Sequence, residues 1–323
     1  MSRSDQKPRV VVTRTLPQAV HDRLSALYDT ELNVSDLPLT KVDLIRAFQS
    51  ADAVVTTVSD RIDASVLNGP GIRARMIANV GVGFSNIDTQ AAENASIVVS
   101  NTPDVLTEAT ADIALLLILA STRRAYAAEQ LLRQGNWAGF SIVAGLGAGV
   151  QGKTLGIIGM GRIGQATARR AALGLGMKVV FYNRSTVQGL DFKAEQLTSI
   201  EDVMTRADVV SLHIPGGGAK PPIDRALLAL MKPTAHLVNT ARGDVIDEEA
   251  LIDALETGQI AGAGLDVFAH EPTIPERLKA LTNVTLLPHV GSATLEVRTA
   301  MGMLAADNLE AFFAGREMPS RVV

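Results

Sequence analysis

"TLGIIGMGRIGQATARRAALGLGMKVVFYN", residues 154–183, decides the architecture of this chain. A short apolar run comes first, then Gly159, Gly161 and Gly164 in G-x-G-x-x-G spacing, then an alanine-rich helical stretch and a second apolar run. Glycines at this spacing carry little by themselves. Placed between a strand and a helix inside a βαβ unit, they are the fingerprint of a dinucleotide-binding fold. Gly159 is expected to make the tight turn, Gly161 to let the backbone approach a pyrophosphate, and Gly164 to let the helix pack on the sheet. The phosphates would sit on the amides of the helix N-terminus, at Arg162 and Ile163.

The second strand runs out into Tyr182-Asn183-Arg184-Ser185, at the point where such units usually carry an Asp or Glu for the adenosine ribose. A carboxylate there would repel a 2′-phosphate. Arg184 pairs with one, and Asn183 and Ser185 can donate hydrogen bonds to it. The expected cofactor is therefore NADP(H) in preference to NAD(H).

Working outward, short β-branched runs alternate with alanine-rich helical segments along the whole chain, as βαβ units around parallel sheets require. The strand-like runs are "RVVVT", "ADAVVTT", "RMIANV", "SIVVSN", "TLGIIGM", "KVVFYN", "ADVVSLHI", "AHLVNT", "GAGLDVF" and "NVTLLPH". That many exceed one comfortable sheet. The sequence also echoes itself. "SADAVVTTVSDRIDASVL" (50–67) resembles "RADVVSLHIPGGGAKPPIDRALL" (206–228), and the segments that follow align Asn79 with Asn239 and Asp88 with Asp247. The expected fold class is α/β, with two doubly wound parallel-sheet domains of Rossmann/flavodoxin type and a cleft between them. Ligands of such sheets bind beyond the carboxyl ends of the strands. That rule directs attention to the loop Gly81-Val82-Gly83 and to the segment around Arg242.

Composition bounds the function classes. The 323 residues are 47% hydrophobic and 20% charged with a net charge of -4, which offers no basic excess for a nucleic-acid or membrane-surface partner. There are no cysteines, so disulfides, thiolate metal sites and a cysteine nucleophile are excluded together, and no metal is expected. The polar leader "MSRSDQKP" lacks the apolar core of a signal peptide, and "IALLLILA" (113–120) is far shorter than the roughly 20 residues of a membrane span. The expectations are a buried helix there, a cytoplasmic protein and a small-molecule substrate.

Five histidines are available for proton transfer. His21 lies in an N-terminal helix and His236 opens a strand, which makes both structural. His213 follows "ADVVSL", near Pro215, at a strand end expected near the nicotinamide. His289 closes "NVTLLPH" and precedes Gly291, and it is the best acid-base candidate. Glu271, just past "GAGLDVF", could hold its other ring nitrogen and favour the charged form. Arg242 in "VNTARGDVIDEEAL" follows a strand directly. A guanidinium there would take a carboxylate in bidentate fashion, unless Asp244, Asp247 or Glu248 pairs with it.

The glycine unit, "NTARGDVIDEEAL", "GAGLDVFAHEP" and "LLPHVGSAT", in this order, resemble the D-isomer-specific 2-hydroxyacid dehydrogenases over nearly the whole chain, and most closely their glyoxylate and hydroxypyruvate reductase branch. The resemblance implies catalysis by Arg242, Glu271 and His289, with His289 as proton donor to a short 2-oxo acid. It implies that the amides of Val82 and Gly83 hold the substrate carboxylate. It places Thr107 and Asp266 beside the nicotinamide half of the cofactor, and Thr240, His289 and Gly291 among the residues that bind the cofactor. It also implies a discontinuous substrate domain (residues 1–102 and 289–323), a cofactor domain (103–288), hinges near Thr102 and Pro288, and a homodimer formed through roughly 103–150, including Trp137 and Phe140. The chain departs from the family at "LHIPGGGAKPPID", where three glycines replace a Leu-Thr element and flexibility is the only physical reading of them. Two readings stay open beside the first. One is a reductase of a larger 2-keto acid, sugar-derived or aromatic, for which Phe84 and Leu106 are the side chains to inspect. The other is a cofactor-sensing binding protein of the same fold.

Overall fold

The computed structural model describes residues 7–323, and the leader read at residues 1–6 lies outside the described residues. The chain divides into two compact units, one formed by Met1–Leu106 with Ser292–Val323 and the other by Thr107–Gly291. In the first unit β1 (Arg9–Val12), β2 (Asp29–Leu32), β3 (Ala53–Thr57), β4 (Met76–Val80) and β5 (Val98–Ser100) make a parallel sheet in the order β2-β1-β3-β4-β5. In the second unit β6 (Thr154–Ile158), β7 (Lys178–Tyr182), β8 (Ala194–Gln196), β9 (Val209–Leu212), β10 (His236–Asn239), β11 (Gly262–Leu265) and β12 (Val284–Leu286) make a seven-stranded parallel sheet in the order β12-β11-β10-β9-β6-β7-β8.

All ten apolar runs read from the sequence are strands, because parallel strands covered on both faces need continuous apolar sequence. In β4, β9, β10 and β11 every residue is buried. The two strands that the sequence reading did not include, β2 ("DTEL") and β8 ("AEQ"), lie at sheet edges. Along both, exposed residues alternate with half-buried ones, so nothing forces their sequences to be apolar.

The echo in the sequence is a duplication of structure. The order β2-β1-β3-β4-β5 recurs as β7-β6-β9-β10-β11. The two Ala-Asp pairs do the same work: Asp52 accepts a hydrogen bond from the Arg9 amide at 2.8 Å, and Asp208 accepts one from the Thr154 amide at 2.8 Å. Each carboxylate thereby ties the start of one strand to its neighbour. Ile62 bridges Ile87 in one unit, and Ile223 bridges Ile246 in the other. Asp63 and Asp224 cap the helices that follow, as do Asp88 and Asp247, each accepting a backbone amide that the first helical turn leaves unpaired.

"IALLLILA" lies within the helix Thr107–Thr122, whose Ala114, Leu117 and Ile118 are buried in the second unit. Among the described residues no helix is long and apolar enough to cross a membrane.

Candidate active site

The second unit gathers its chemistry at the carboxyl ends of its strands. Gly159 follows β6, His213 follows β9, Thr240 to Arg242 follow β10, Asp266 follows β11, and His289 lies three residues past β12.

The three glycines of the fingerprint meet different constraints. At Gly159, φ is +96° and a Cβ would stand 2.5 Å from the His213 carbonyl oxygen, so the turn itself demands glycine. At Gly164 a Cβ would strike the Gly159 carbonyl, so the helix Arg162–Leu175 lies against the turn only without a side chain. Gly161 is the helix N-cap with an ordinary φ of -77°, and a Cβ there would meet no protein atom within 4 Å. The fold does not need glycine at 161. A phosphate drawn up to the helix N-terminus does, and the loop therefore fits a dinucleotide. Arg162 is exposed and Ile163 half-buried at the start of that helix.

Beyond β7 the chain turns through Asn183, Arg184 and Ser185. The Asn183 carboxamide oxygen accepts the Met160 amide at 3.1 Å, and its nitrogen donates to the Ser185 carbonyl at 3.0 Å and hydroxyl at 3.1 Å. Asn183 therefore ties the glycine loop to the turn and has both amide hydrogens engaged there. Of the two hydrogen-bond donors read from the sequence, Ser185 retains a hydroxyl hydrogen to give, and the Arg184 side chain is exposed.

His289 Nδ1 and Glu271 Oε2 are 2.7 Å apart. The other Glu271 oxygen accepts the Phe268 amide at 2.9 Å, which closes the loop after β11 and aims the carboxylate. Burial pushes the Glu271 carboxyl up, but His289, the Phe268 amide and Arg242 outweigh it and hold the group below its ordinary range. His289 itself has φ +54°, a left-handed conformation uncommon outside glycine. Asp266 holds it there. Its carbonyl accepts the His289 amide at 2.9 Å, and its carboxylate accepts the amides of Val290 at 2.7 Å and Gly291 at 2.8 Å. Burial raises the Asp266 carboxyl despite those two amides.

Arg242 is not held in a structural ion pair with the carboxylates that follow it. Asp244 accepts the Gly217 amide, Asp247 caps its helix, and Glu248 accepts the Ala269 amide. The guanidinium donates to the Ala241 carbonyl at 2.7 Å. Burial lowers its pKa, against the raising influence of Glu271 and Asp244. The run of glycines has a physical reason here. A Cβ at Gly216 would strike the Asp244 carboxylate and stand 2.8 Å from Arg242 Cβ, while Gly217 has φ +87° and bonds Asp244 at 2.6 Å. The loop is packed on the arginine stem, which is a firmer role than flexibility. Pro215, just before it, is exposed.

The remaining positions divide clearly. His213 bonds Ser211 at 2.9 Å, and burial drops its pKa to about 4. His236 does the same with Ser121 at 2.6 Å, and His21 accepts the Leu16 amide, which fits structural roles for both. The Thr240 hydroxyl is buried without a hydrogen-bond partner among the described residues, and Thr107 is the first residue of its helix.

In the first unit, the Gly81 carbonyl accepts the Thr102 amide at 2.9 Å, the Val82 carbonyl accepts Asn101 Nδ2 at 2.9 Å, and the Gly83 carbonyl accepts Asn79 Nδ2 at 3.1 Å. A trans peptide points its N–H opposite its C=O, so the amides of Val82 and Gly83 face away from these anchors. Adjacent amides facing one way make an anion cradle. Phe84 is exposed and Leu106 buried.

Sequence reasoning missed Gln196, which bonds the 183–187 turn from β8 and leaves no periodic or motif signal. It named Asp244 only as a possible partner of Arg242, whereas Asp244 anchors the glycine run.

Residues 115–291 match the family described as D-isomer specific 2-hydroxyacid dehydrogenase, NAD binding domain. The chain is 44% identical over 324 aligned positions to a glyoxylate reductase of Thermococcus gammatolerans, covering 98% of this chain and 96% of that one. It is 43% identical to a glyoxylate reductase of Pyrococcus furiosus, with 98% and 95% covered. Among solved structures, an NADPH-dependent glyoxylate/hydroxypyruvate reductase from Sinorhizobium meliloti, in complex with NADP and malonate, superposes with a TM-score of 0.86 at 33% identity, covering 98% of this chain and 97% of that one.

Proposed function

Because the chain belongs to the D-isomer specific 2-hydroxyacid dehydrogenases, NAD(P)-dependent oxidoreductases, we propose that it reduces glyoxylate and hydroxypyruvate to their 2-hydroxy acids with NADPH. The observation that carries this reading is the 2.7 Å pair of His289 and Glu271 in one unit with a half-buried Arg242. A bound reduced nicotinamide supplies the hydride. His289, protonated and paired with Glu271, gives its proton to the carbonyl oxygen. Arg242 takes the substrate carboxylate and polarises the carbonyl, and the amides of Val82 and Gly83 bind the same carboxylate. Asp266, Thr107, Thr240 and Gly291 belong to the nicotinamide half of the cofactor site, and His213 and Pro215 border it.

Residues 103–288 are the cofactor domain in this reading, and residues 1–102 with 289–323 the substrate domain. Arg184 and Ser185 face the 2′-phosphate, which gives the preference for NADPH. The active form is a homodimer. The helix Ala125–Arg133 has no buried residue, and its Leu132 together with Trp137, Phe140 and Ile142 beyond it is exposed, apolar surface of the kind that a second copy covers.

The test is kcat/KM for NADPH and NADH with glyoxylate and with hydroxypyruvate. A preference of about tenfold or more for NADPH, worth about 1.4 kcal/mol, is expected. Equal use of the two cofactors would remove the 2′-phosphate assignment. Tight cofactor binding without turnover of either acid would favour a larger 2-oxo acid, and failure there would favour a cofactor sensor.

A further inference from the structure

The turn that ends β7 is held from outside by one side chain. Gln196, on the edge strand β8, is in register with Phe181 on β7. Its carboxamide nitrogen donates to the Asn183 carbonyl at 3.3 Å and to the Ser185 carbonyl at 3.0 Å, and its oxygen accepts the Val187 amide at 3.0 Å. Both ends of the amide are thus engaged with the turn. Asn183 completes the fixation from inside, through Met160 and Ser185.

Arg184 lies between two residues whose carbonyls Gln196 grips. Its backbone is fixed while its side chain remains exposed. An arginine that must find a phosphate from a mobile loop loses backbone as well as rotamer entropy on binding, and one on an anchored turn loses only the latter. Ser185 benefits too. Its hydroxyl oxygen accepts from Asn183, so the hydroxyl hydrogen is left to be donated away from the turn.

We propose that Gln196 is a positioning residue for the 2′-phosphate of the cofactor, acting through the anchored turn at residues 183–187. This rests on the NADPH reading above. Gln196 touches neither ribose nor phosphate. It holds the residues that do.

Calorimetric titration with adenosine 2′,5′-bisphosphate and with 5′-AMP tests this, because the two probes differ only in the 2′-phosphate. Wild type is expected to bind the bisphosphate about tenfold or more tightly. Gln196→Met keeps the length and loses all three bonds. It should cut that ratio several-fold while leaving the 5′-AMP affinity and kcat at saturating NADPH unchanged. Gln196→Glu can still accept the Val187 amide but loses both donated bonds and adds a negative charge, and it should cut the ratio further. A ratio unchanged in both variants would overturn the proposal. So would parallel weakening of both probes, which is the mark of general damage to the fold. Absence of any bisphosphate preference in wild type would overturn the NADPH reading and this inference with it, whereas a wild-type preference that survives both substitutions overturns the inference alone.

Discussion

Replacing Glu271 with Gln separates the charge of this residue from its packing. The Gln oxygen can still accept the Phe268 amide, so the loop after β11 keeps its closure. What changes is the partner of His289 Nδ1, from a carboxylate at 2.7 Å to a neutral amide. A hydrogen bond to a charged group contributes ~1.5–3 kcal/mol. The side chains of this pair are 31% and 35% exposed, so screening by solvent sets the effect at the low end of that range. A loss of about 1.4 kcal/mol in positioning the proton donor is about tenfold in kcat/KM for glyoxylate. The sign with pH follows from Glu271, whose carboxyl His289, the Phe268 amide and Arg242 hold below its ordinary range: it stays ionised through neutral pH, where the tenfold loss is expected, and wild type and variant converge only on the acid side as that carboxyl is protonated. The assay is the initial rate of loss of reduced-nicotinamide absorbance across pH. A Glu271→Gln enzyme with full kcat/KM at neutral pH would refute the pairing as a catalytic device and leave Glu271 as a clasp for the loop.

Four further outcomes are expected. His289→Gln should lower kcat by about 100-fold or more, the usual scale of a lost general acid, while calorimetry finds NADPH binding intact. Arg242→Ala should raise KM for glyoxylate about tenfold or more by removing a charged pair to the carboxylate; an unchanged KM would return the arginine to a structural role. Gly161→Ala should leave the melting temperature unchanged and weaken NADP affinity, because a Cβ there meets no protein atom within 4 Å, whereas Gly164→Ala should destabilise the fold by driving into the Gly159 carbonyl. Leu132→Glu combined with Trp137→Glu should shift the sedimentation of a dimer to that of a monomer, and a wild type already monomeric would dismiss the homodimer.

The sequence discloses every inner strand of both sheets and the edge strands β5 and β12, and hides the edge strands β2 and β8, for one physical reason. "RMIANV" is apolar throughout because both faces of β4 are covered, while "DTEL" at β2 has residues that alternate between exposed and half-buried. The positions of Arg242, Glu271 and His289 are legible because each follows a strand. Their support is not. Nothing in "LPHVG" announces that His289 adopts φ +54°, since that conformation is imposed by Asp266, 23 positions earlier, through three backbone amides. Gln196 is illegible for the same reason. Its three bonds join residues 9 to 13 positions apart through one side chain, on a strand too polar and too short to be read as a strand.

The duplicated scaffold explains how one unit can carry the proposed acid-base pair while its echo presents backbone amides at the equivalent loop. In both units the fourth strand of the repeat, β4 or β10, carries an Asn near its end that clasps the loop beyond it: Asn79 bonds the Gly83 carbonyl at 3.1 Å, and Asn239 bonds the Arg242 carbonyl at 2.7 Å. The anchor is shared and the loop contents differ. Gly81-Val82-Gly83 has all three carbonyls bonded by protein donors, and the amides of Val82 and Gly83 point away from the anchors of the carbonyls that precede them. Ala241-Arg242-Gly243 places a guanidinium at the corresponding point. Gly243 then has no room for a side chain, because a Cβ would run into the carbonyl group of Phe268. Phe268 is also the residue whose amide holds Glu271. The arginine loop and the glutamate loop are therefore pressed together through main chain. Any side chain at 243 would separate the guanidinium from the carboxylate that orients His289, with no change to the strand order or to any catalytic group.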